Sequence, residues 1–354
     1  MIKKIKDNIF SKTFFRLNPS RSILILRDDR SQWVLNKIKK ELKKYFEQLG
    51  ISISLSNTNF LYKNQSIFYL NKYKLLNWDN SKMYKTLAYM HGYPNNEMNK
   101  KLLDSIKRNK NDIQRIWVTH DKMRDYILDT GINENKVMKN YISIDLENFN
   151  LIRDDDKNVL RKYLKIPSKN IVIGSFQKDG VGWEDGLKPK LEKGPDIFIK
   201  ILSKLKKKYS NLTVLLTGPS RGFVKNELKK NNIHFIHHKK VDYKNLYKYY
   251  SVLDFYLVTS REEGGPRSIR ESMASGIPVI SSKVGQATEL IKHEENGYLT
   301  DIGKVDDYLE IIETIVKNKI SSHFKDNCRM TAINNSYNNQ GKFWSKFFED
   351  IVTF

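Results

Sequence analysis

The sequence predicts an α/β protein of two domains, each a parallel sheet wound with helices. Three observations predict it. Apolar and β-branched runs of strand length alternate with amphipathic helical patterns along the chain. One stretch, Asp254 to Ser281, holds a complete strand–loop–helix–strand unit, the crossover of a parallel sheet. A polar segment, Asp145 to Pro167, interrupts the alternation and carries Arg153-Asp-Asp-Asp-Lys157. With 354 residues the chain can bury two cores, a domain commonly taking about 100–200 residues.

In the first half, Ser22-Ile-Leu-Ile-Leu26 is a continuous apolar run and reads as a strand. Val34, Ile38, Leu42 and Tyr45 follow at helical spacing. Ile51–Leu55, Ser66–Leu70, Thr86–Met90 and Ile116–Thr119 read as further strands, the last leading into a helix from Lys122 to Leu128. In the second half, strands are expected at Ile171–Phe176, Val214–Thr217, Asp254–Ser260 and Val279–Ser281. Near the end, Gly341–Asp350 has apolar residues at helical spacing, with Trp344 and Phe347 among them. The expected division is 1–150, a hinge at 151–168, a second domain at 169–333, and a terminal helix at 334–354.

The segment Glu263-Gly-Gly-Pro-Arg-Ser-Ile-Arg-Glu271 carries the chemistry. Glu262 to Gly265 form a turn after a strand. Pro266 suits a first helical position, where a missing N–H costs nothing. The helix should stop at Gly276, with Pro278 just beyond. Glu263 then sits at the carboxyl end of a strand, the edge where open α/β sheets bind ligands. Glu271 lies about two turns into the helix. The backbone N–H groups of Gly264, Gly265, Arg267 and Ser268 attract phosphate, and Arg267 and Arg270 add charge. Taken singly, Glu263 reads as an ordinary first-turn acid and Glu271 as a solvated helix residue. Together, around a Gly-Gly corner between strands, they read as a ligand site.

This Glu-x7-Glu pattern, with Ala274-Ser-Gly-Ile-Pro-Val279 after it, resembles the retaining GT-B glycosyltransferases of the family 4 (group 1) type. Other motifs follow in the order of that family: Asn140–Phe149, Ile171–Phe176, Glu192-Lys-Gly-Pro-Asp196, Val214-Leu-Leu-Thr-Gly-Pro219, Val284-Gly-Gln-Ala-Thr-Glu289 and Glu295–Leu299. The resemblance implies a GT-B fold, two Rossmann-like doubly wound domains facing a central cleft, with the terminal helix at 334–354 crossing back to brace the first domain through Trp344 and Phe347. It implies a nucleotide-sugar donor and a retained anomeric configuration. It places Glu263 and His91 at the reacting sugar. Donor contacts fall to Lys178, Lys193, Gly218, Gly264, Gly265, Arg267, Glu271 and Glu289. Arg27, Asp28 and His120 are acceptor-side candidates. No cofactor and no metal are expected, since no Asp-x-Asp stands at a strand end. The chain departs from the pattern where Arg27-Asp-Asp-Arg30 replaces the usual glycines, where Lys178 stands for an arginine, and in the insertion Asp179–Leu191, which is either a donor lid or an acceptor contact.

Composition narrows the setting. The single cysteine, Cys328, excludes an internal disulfide and suits a reducing compartment. Seven histidines lack zinc spacing. No run of about 18 apolar residues occurs, so no transmembrane helix is expected. The expected location, from the reducing setting, is the cytoplasm, at the inner face of a membrane if the acceptor is lipid-linked. The basic leader Met1–Arg16 reads as a frayed start, with a peripheral membrane foot as the alternative. Net charge is +23; residues 1–150 carry 28 Lys and Arg against 15 Asp and Glu, net +13. Such a surface attracts anionic membranes and nucleic acid alike. The expected partners are therefore a nucleotide sugar, a glycan or lipid-linked acceptor of cell-surface polysaccharide synthesis, and an anionic membrane. A GT-B enzyme that glycosylates nucleic acid and a non-catalytic binding module are the alternatives.

Overall fold

The computed structural model describes residues 23–26, 34–51, 53–56, 66–78, 84–152, 154–182 and 184–352. They form two compact units, the first Met1–Tyr141 with Tyr337–Phe354, the second Ile142–Ser336. Each unit holds a six-stranded sheet in which every pairing is parallel.

The first sheet comprises β1 (Ile23–Leu26), β2 (Ile53–Ser56), β3 (Ser66–Tyr69), β4 (Tyr84–Tyr89), β5 (Ile113–Val118) and β6 (Val137–Lys139), in the order β2-β1-β3-β4-β5-β6. Alternate residues point to opposite faces. Ile67, Tyr69, Leu87, Tyr89, Ile116 and Val118 share one core with Leu102 and Ile106 of the helix Glu97–Asn109. Phe68 and Trp117 face the other way. There Trp117 meets Trp344 with ring centroids 5.1 Å apart, and Phe68 meets Phe347 at 5.6 Å. Phe46, from the helix Val34–Gln48, closes the same cluster at 5.1 Å from Trp344. The terminal helix Gly341–Phe347 is thus a structural part of the first unit. Offset and edge-on aromatic pairs of this kind contribute about 0.5–1.5 kcal/mol each beyond their buried area.

The second sheet comprises β7 (Ile171–Ser175), β8 (Leu212–Thr217), β9 (His234–His238), β10 (Phe255–Val258), β11 (Val279–Ser282) and β12 (Tyr298–Thr300), in the order β12-β11-β10-β7-β8-β9. Val172, Leu215, Tyr256, Val258 and Val279 line one core, and their neighbours Ile173, Val214, Leu216, Phe255, Leu257 and Ile280 line another. Both faces are covered, as parallel sheets require. From β7 the chain winds outward through β8 and β9, then returns to β10 on the other side. The neighbours β7 and β10 therefore form the topological switch point, where a crevice opens at the carboxyl ends of the strands.

Several local expectations shift. The segment 151–168 holds a helix, Asp154–Tyr163, and the unit boundary falls at Tyr141 rather than 150. Arg161 on that helix pairs with Asp254 at 2.8 Å and donates to Val252 O, tying the helix to the second unit. The strands β6 and β12 have three residues each, too short to stand out in the sequence. The helix expected after Gly265 runs Arg267–Ala274, with Pro266 just before it. Gly276 ends it at φ +67°, and Ile277 N–H returns to Ser272 O (3.0 Å), the six-to-one bond of a Schellman cap. Arg27, Asp28, Trp183 and the leader Met1–Arg16 lie outside the described residues. Among those described, no helix is long and apolar enough to cross a membrane.

Candidate functional site

Three loops meet at the switch point of the second sheet. The turn Phe176-Gln-Lys178 leaves β7. The short 3-10 turn Leu191–Lys193 precedes the helix Pro195–Lys208. The corner Ser260–Gly265 leaves β10. Gly194 joins the second loop to the third. Its φ is +63°, and an added Cβ would overlap the carbonyl oxygen of Thr259. Only glycine takes this conformation without strain and without that clash. The Arg261 N–H donates to Glu192 O (2.8 Å) and Thr259 Oγ1 donates to Gly194 O (2.9 Å). Gln177 Nε2 donates to Lys193 O (3.1 Å), which ties in the first loop.

That scaffold brings Lys193 and Glu263 together, 70 residues apart in sequence. Lys193 Nζ stands 2.6 Å from Glu263 Oε1, and the Ser260 hydroxyl donates to the same oxygen at 2.9 Å. The Glu263 side chain is 10% exposed and that of Lys193 24%. A charge-assisted pair this short, in a half-dry crevice, is stronger than a surface salt bridge. Lys178 lies on the same edge, where burial, and then the charge of Lys190, lowers its pKa. A bound anion would relieve that penalty.

Glu271 is no solvated helix residue. It is 7% exposed. Tyr250 OH donates to its Oε2 (2.9 Å), and Arg267 Nε stands 3.6 Å from its Oε1. Burial, and then the Glu271 charge, raises the Tyr250 pKa well above its ordinary value, so the phenol remains a donor. Arg267 also donates to Tyr243 OH (3.2 Å) and lies over that ring at 5.8 Å. Arg267 therefore orients Glu271, a role the sequence reading did not give it. Gly264 accepts from Gln286 N–H (3.1 Å), while Glu289 sits half-buried on the one-turn helix Ala287–Leu290.

Three candidates take other roles. Gly218 uses both backbone groups on β9: its N–H donates to His238 O (3.1 Å), and its oxygen lies 2.8 Å from His237 Nε2. The Gly218 N–H is therefore not open to a phosphate. His120 is 2% exposed, and its Nδ1 accepts from Met123 N–H (3.3 Å) as the N-cap of the helix Asp121–Leu128. This corrects its placement on the acceptor side: it satisfies a helix end. The insertion Asp179–Leu191 is neither loose nor freely projecting at its base. Arg221, fully buried, stands 3.0 Å from Asp179 Oδ1 and donates to Ser175 O (2.6 Å) and Gln177 O (2.7 Å). Further on, Asp185 O and Gly186 O accept from Gly222 N–H (2.5 Å) and Phe223 N–H (3.0 Å). The insertion thereby caps the helix Gly222–Lys230, leaving that helix start no room for an anion.

In the first unit, His91 is exposed just past β4. Lys72 donates from Nζ to His91 O (2.7 Å) and to Asn99 Oδ1 (3.1 Å) and so fixes the loop. Tyr250, Tyr243, Ser260 and Arg221 escaped the sequence reading, because none belongs to a recognisable spacing. Cys328 is buried with its thiol pushed up to about 12, which removes it from nucleophilic chemistry.

Comparison with known proteins bears on the fold. Residues 189–336 match the family described as Glycosyl transferases group 1. HepE of Anabaena, in its complex with UDP-glucose, superposes with a TM-score of 0.75 at 16% identity, over 93% of this chain and 99% of that one. The fold is GT-B. Two curated relatives match parts of the GT-B chain. A glycosyltransferase of Haemophilus influenzae described as uncharacterized is 26% identical over 133 residues, 36% of each chain. The UDP-Gal:alpha-D-GlcNAc-diphosphoundecaprenol alpha-1,3-galactosyltransferase of Escherichia coli is 27% identical over 81 residues, 23% of this chain and 21% of the relative. The match to these relatives thus spans about a third and about a fifth of their lengths.

Proposed function

We propose that the chain is a glycosyltransferase of the family 4 type. It would move a sugar from a nucleotide sugar to a glycan or lipid-linked acceptor, with retention at the anomeric carbon. The observation that carries this reading is the Lys193–Glu263 pair at the switch point between β7 and β10. A cation and a carboxylate held side by side suit the two halves of a sugar diphosphate. Glu271 bonds the ribose hydroxyls, with Tyr250 and Arg267 holding the carboxylate in place. Glu263 and the Gly264–Gly265 corner hold the sugar hydroxyls. Lys193 and Lys178 stabilise the charge that grows on the leaving phosphate, an electrostatic contribution of the oxyanion-hole kind. Because lysines meet that charge, the reading calls for no metal ion. By the resemblance, His91 contributes a contact to the donor sugar or its phosphate.

Two likenesses support a donor built on uridine diphosphate: HepE holds UDP-glucose, and the Escherichia coli relative is named for UDP-Gal and a diphosphoundecaprenol substrate. A lipid-linked acceptor would place the chain at the cytoplasmic face of a membrane in polysaccharide synthesis, where a net charge of +23 favours anionic lipids. The test is incubation of the full chain with a panel of nucleotide sugars, following release of the nucleoside diphosphate. Turnover that disappears in Glu263→Ala supports the reading. If no nucleotide sugar is bound or hydrolysed and Glu263→Ala behaves as wild type, the reading fails.

A further inference from the structure

One buried side chain beside this site has no part in the reading above. Gln286 follows β11 in the turn Lys283–Gln286 and is fully buried. Its backbone N–H donates to Gly264 O (3.1 Å). Its side-chain Oε1 accepts from Arg270 NH1, and Arg270 is itself fully buried on the helix Arg267–Ala274. Arginine has donors only, so this bond decides which end of the amide faces Arg270. The NH2 end is turned away from it. That Nε2 is buried and has no hydrogen-bond partner among the described residues.

The amide lies directly under the glycine corner. A Cβ on Gly265 would stand 2.6 Å from Gln286 Cδ and 2.9 Å from Nε2. A Cβ on Gly285 would run into the carbonyl oxygens of Glu263 and Gly264. The turn after β11 is therefore pressed flat against the corner after β10. A buried donor without a partner disfavours the folded state. Methionine or leucine would fill the same space without that penalty. A polar side chain kept here, and oriented by a buried arginine, points to a task other than filling space.

We propose that Gln286 is a positioning residue for the donor sugar. Arg270 turns its amide against the Gly264–Gly265 corner, and the amide sets where that corner, and with it the Glu263 carboxylate, stands. The catalytic part of this inference rests on the sugar-nucleotide reading. The structural part does not.

The experiment uses the full chain and two variants. Gln286→Met has the same length and no amide. Gln286→Glu keeps the shape and the acceptor for Arg270. Hydrogen exchange of the backbone amides is followed across residues 261–268 and, as a reference, across β8. In Gln286→Met the corner is expected to exchange about tenfold faster with β8 unchanged, the signature of local rather than global opening. Gln286→Glu should restore protection at the corner. With a nucleotide sugar that wild type turns over, Gln286→Met should lower kcat roughly tenfold and leave the affinity for the free nucleoside diphosphate within about twofold, because the interaction lost concerns the sugar end alone. Exchange at the corner that stays at the wild-type rate, or that rises equally in β8, overturns the proposal. A loss of nucleotide affinity equal to the loss of kcat also overturns it, since that marks a general structural role. If wild type turns over no nucleotide sugar, the functional reading fails, and the exchange at the corner still decides the role of Gln286.

Discussion

Both sheets have six parallel strands, wound in different orders, and their carboxyl edges differ as well. At the edge of the second sheet, Glu263 and Glu271 are nearly buried and tied to named partners, Lys193 and Ser260 for one, Tyr250 and Arg267 for the other. At the edge of the first, His120 serves as a helix cap and Lys72 braces a loop, while His91 alone reaches solvent from the residues singled out there. Burying a carboxylate is costly unless it is hydrogen-bonded and paired. Two such acids in one crevice are the arrangement expected of a preorganised binding surface. The contrast teaches that two parallel sheets need not be equipped alike: the paired, nearly buried acids of the candidate site lie at the switch point between β7 and β10.

The sharpest way to break this contrast is Glu263→Gln. Sugar transfer should fall by about 10²–10³-fold, the range seen when a preorganised polar contact to a transition state is removed. Affinity for the free nucleoside diphosphate should hold or rise, because Lys193 loses its internal counter-charge and is released to phosphate. Titration calorimetry with UDP checks this; a fall in UDP affinity as large as the fall in turnover would remove the division of labour drawn here. Next comes Gly194→Ala. The positive φ and the clash with Thr259 O should cost about 1–3 kcal/mol. Turnover should drop with it, because Lys193 sits on the displaced turn. Thermal melts beside the activity assay give both numbers.

A smaller effect probes the first sheet. His120→Ala removes an N-cap and should lower stability by about 1 kcal/mol. His120→Asn should restore most of that loss, and transfer activity at low temperature should stay near wild type. If activity collapses while the melting temperature holds, the edge of the first sheet is functional and the contrast is wrong. The smallest effect concerns pH. Burial lowers the pKa of His237 below its ordinary 6.5, against the opposing pull of its contact with Gly218 O. The unfolded chain then binds more protons than the folded one in that window, so stability rises with pH there. The melting temperature should fall as the pH drops below about 6.5, and less steeply in His237→Gln.

Much of the fold could be read directly. The apolar runs at Ser66–Leu70, Ile171–Phe176 and Asp254–Ser260 all became strands, because burial on both faces leaves a continuous apolar signature. The strand His234–His238 was not legible. Only Phe235 and Ile236 of its five residues are strong strand formers, too short a run to stand out, and it pairs with the edge that β8 offers. Gly276 was legible as a helix stop, because a left-handed cap has a strong residue preference. The placement of Glu263 after a strand and of Glu271 on the next helix was legible because that spacing is local. Their supports were not. Lys193 was singled out, but not its pairing with Glu263; Tyr250 reaches Glu271 from another helix, and the burial of Arg221 against the end of β7 has no local signature.

By itself, then, the sequence determined the alternation of strand and helix, the two cores, the position of the acids at a strand end, and the positive charge. These follow from local preference and periodicity, which short stretches carry on their own. Only the tertiary structure decided which groups face those acids, that Gly218 and His120 are occupied by structural bonds, and that the Asp179–Leu191 insertion is anchored at its base. The reason is physical. A hydrogen bond or ion pair across 70 residues depends on where two loops are delivered by a sheet, and no local pattern encodes that distance.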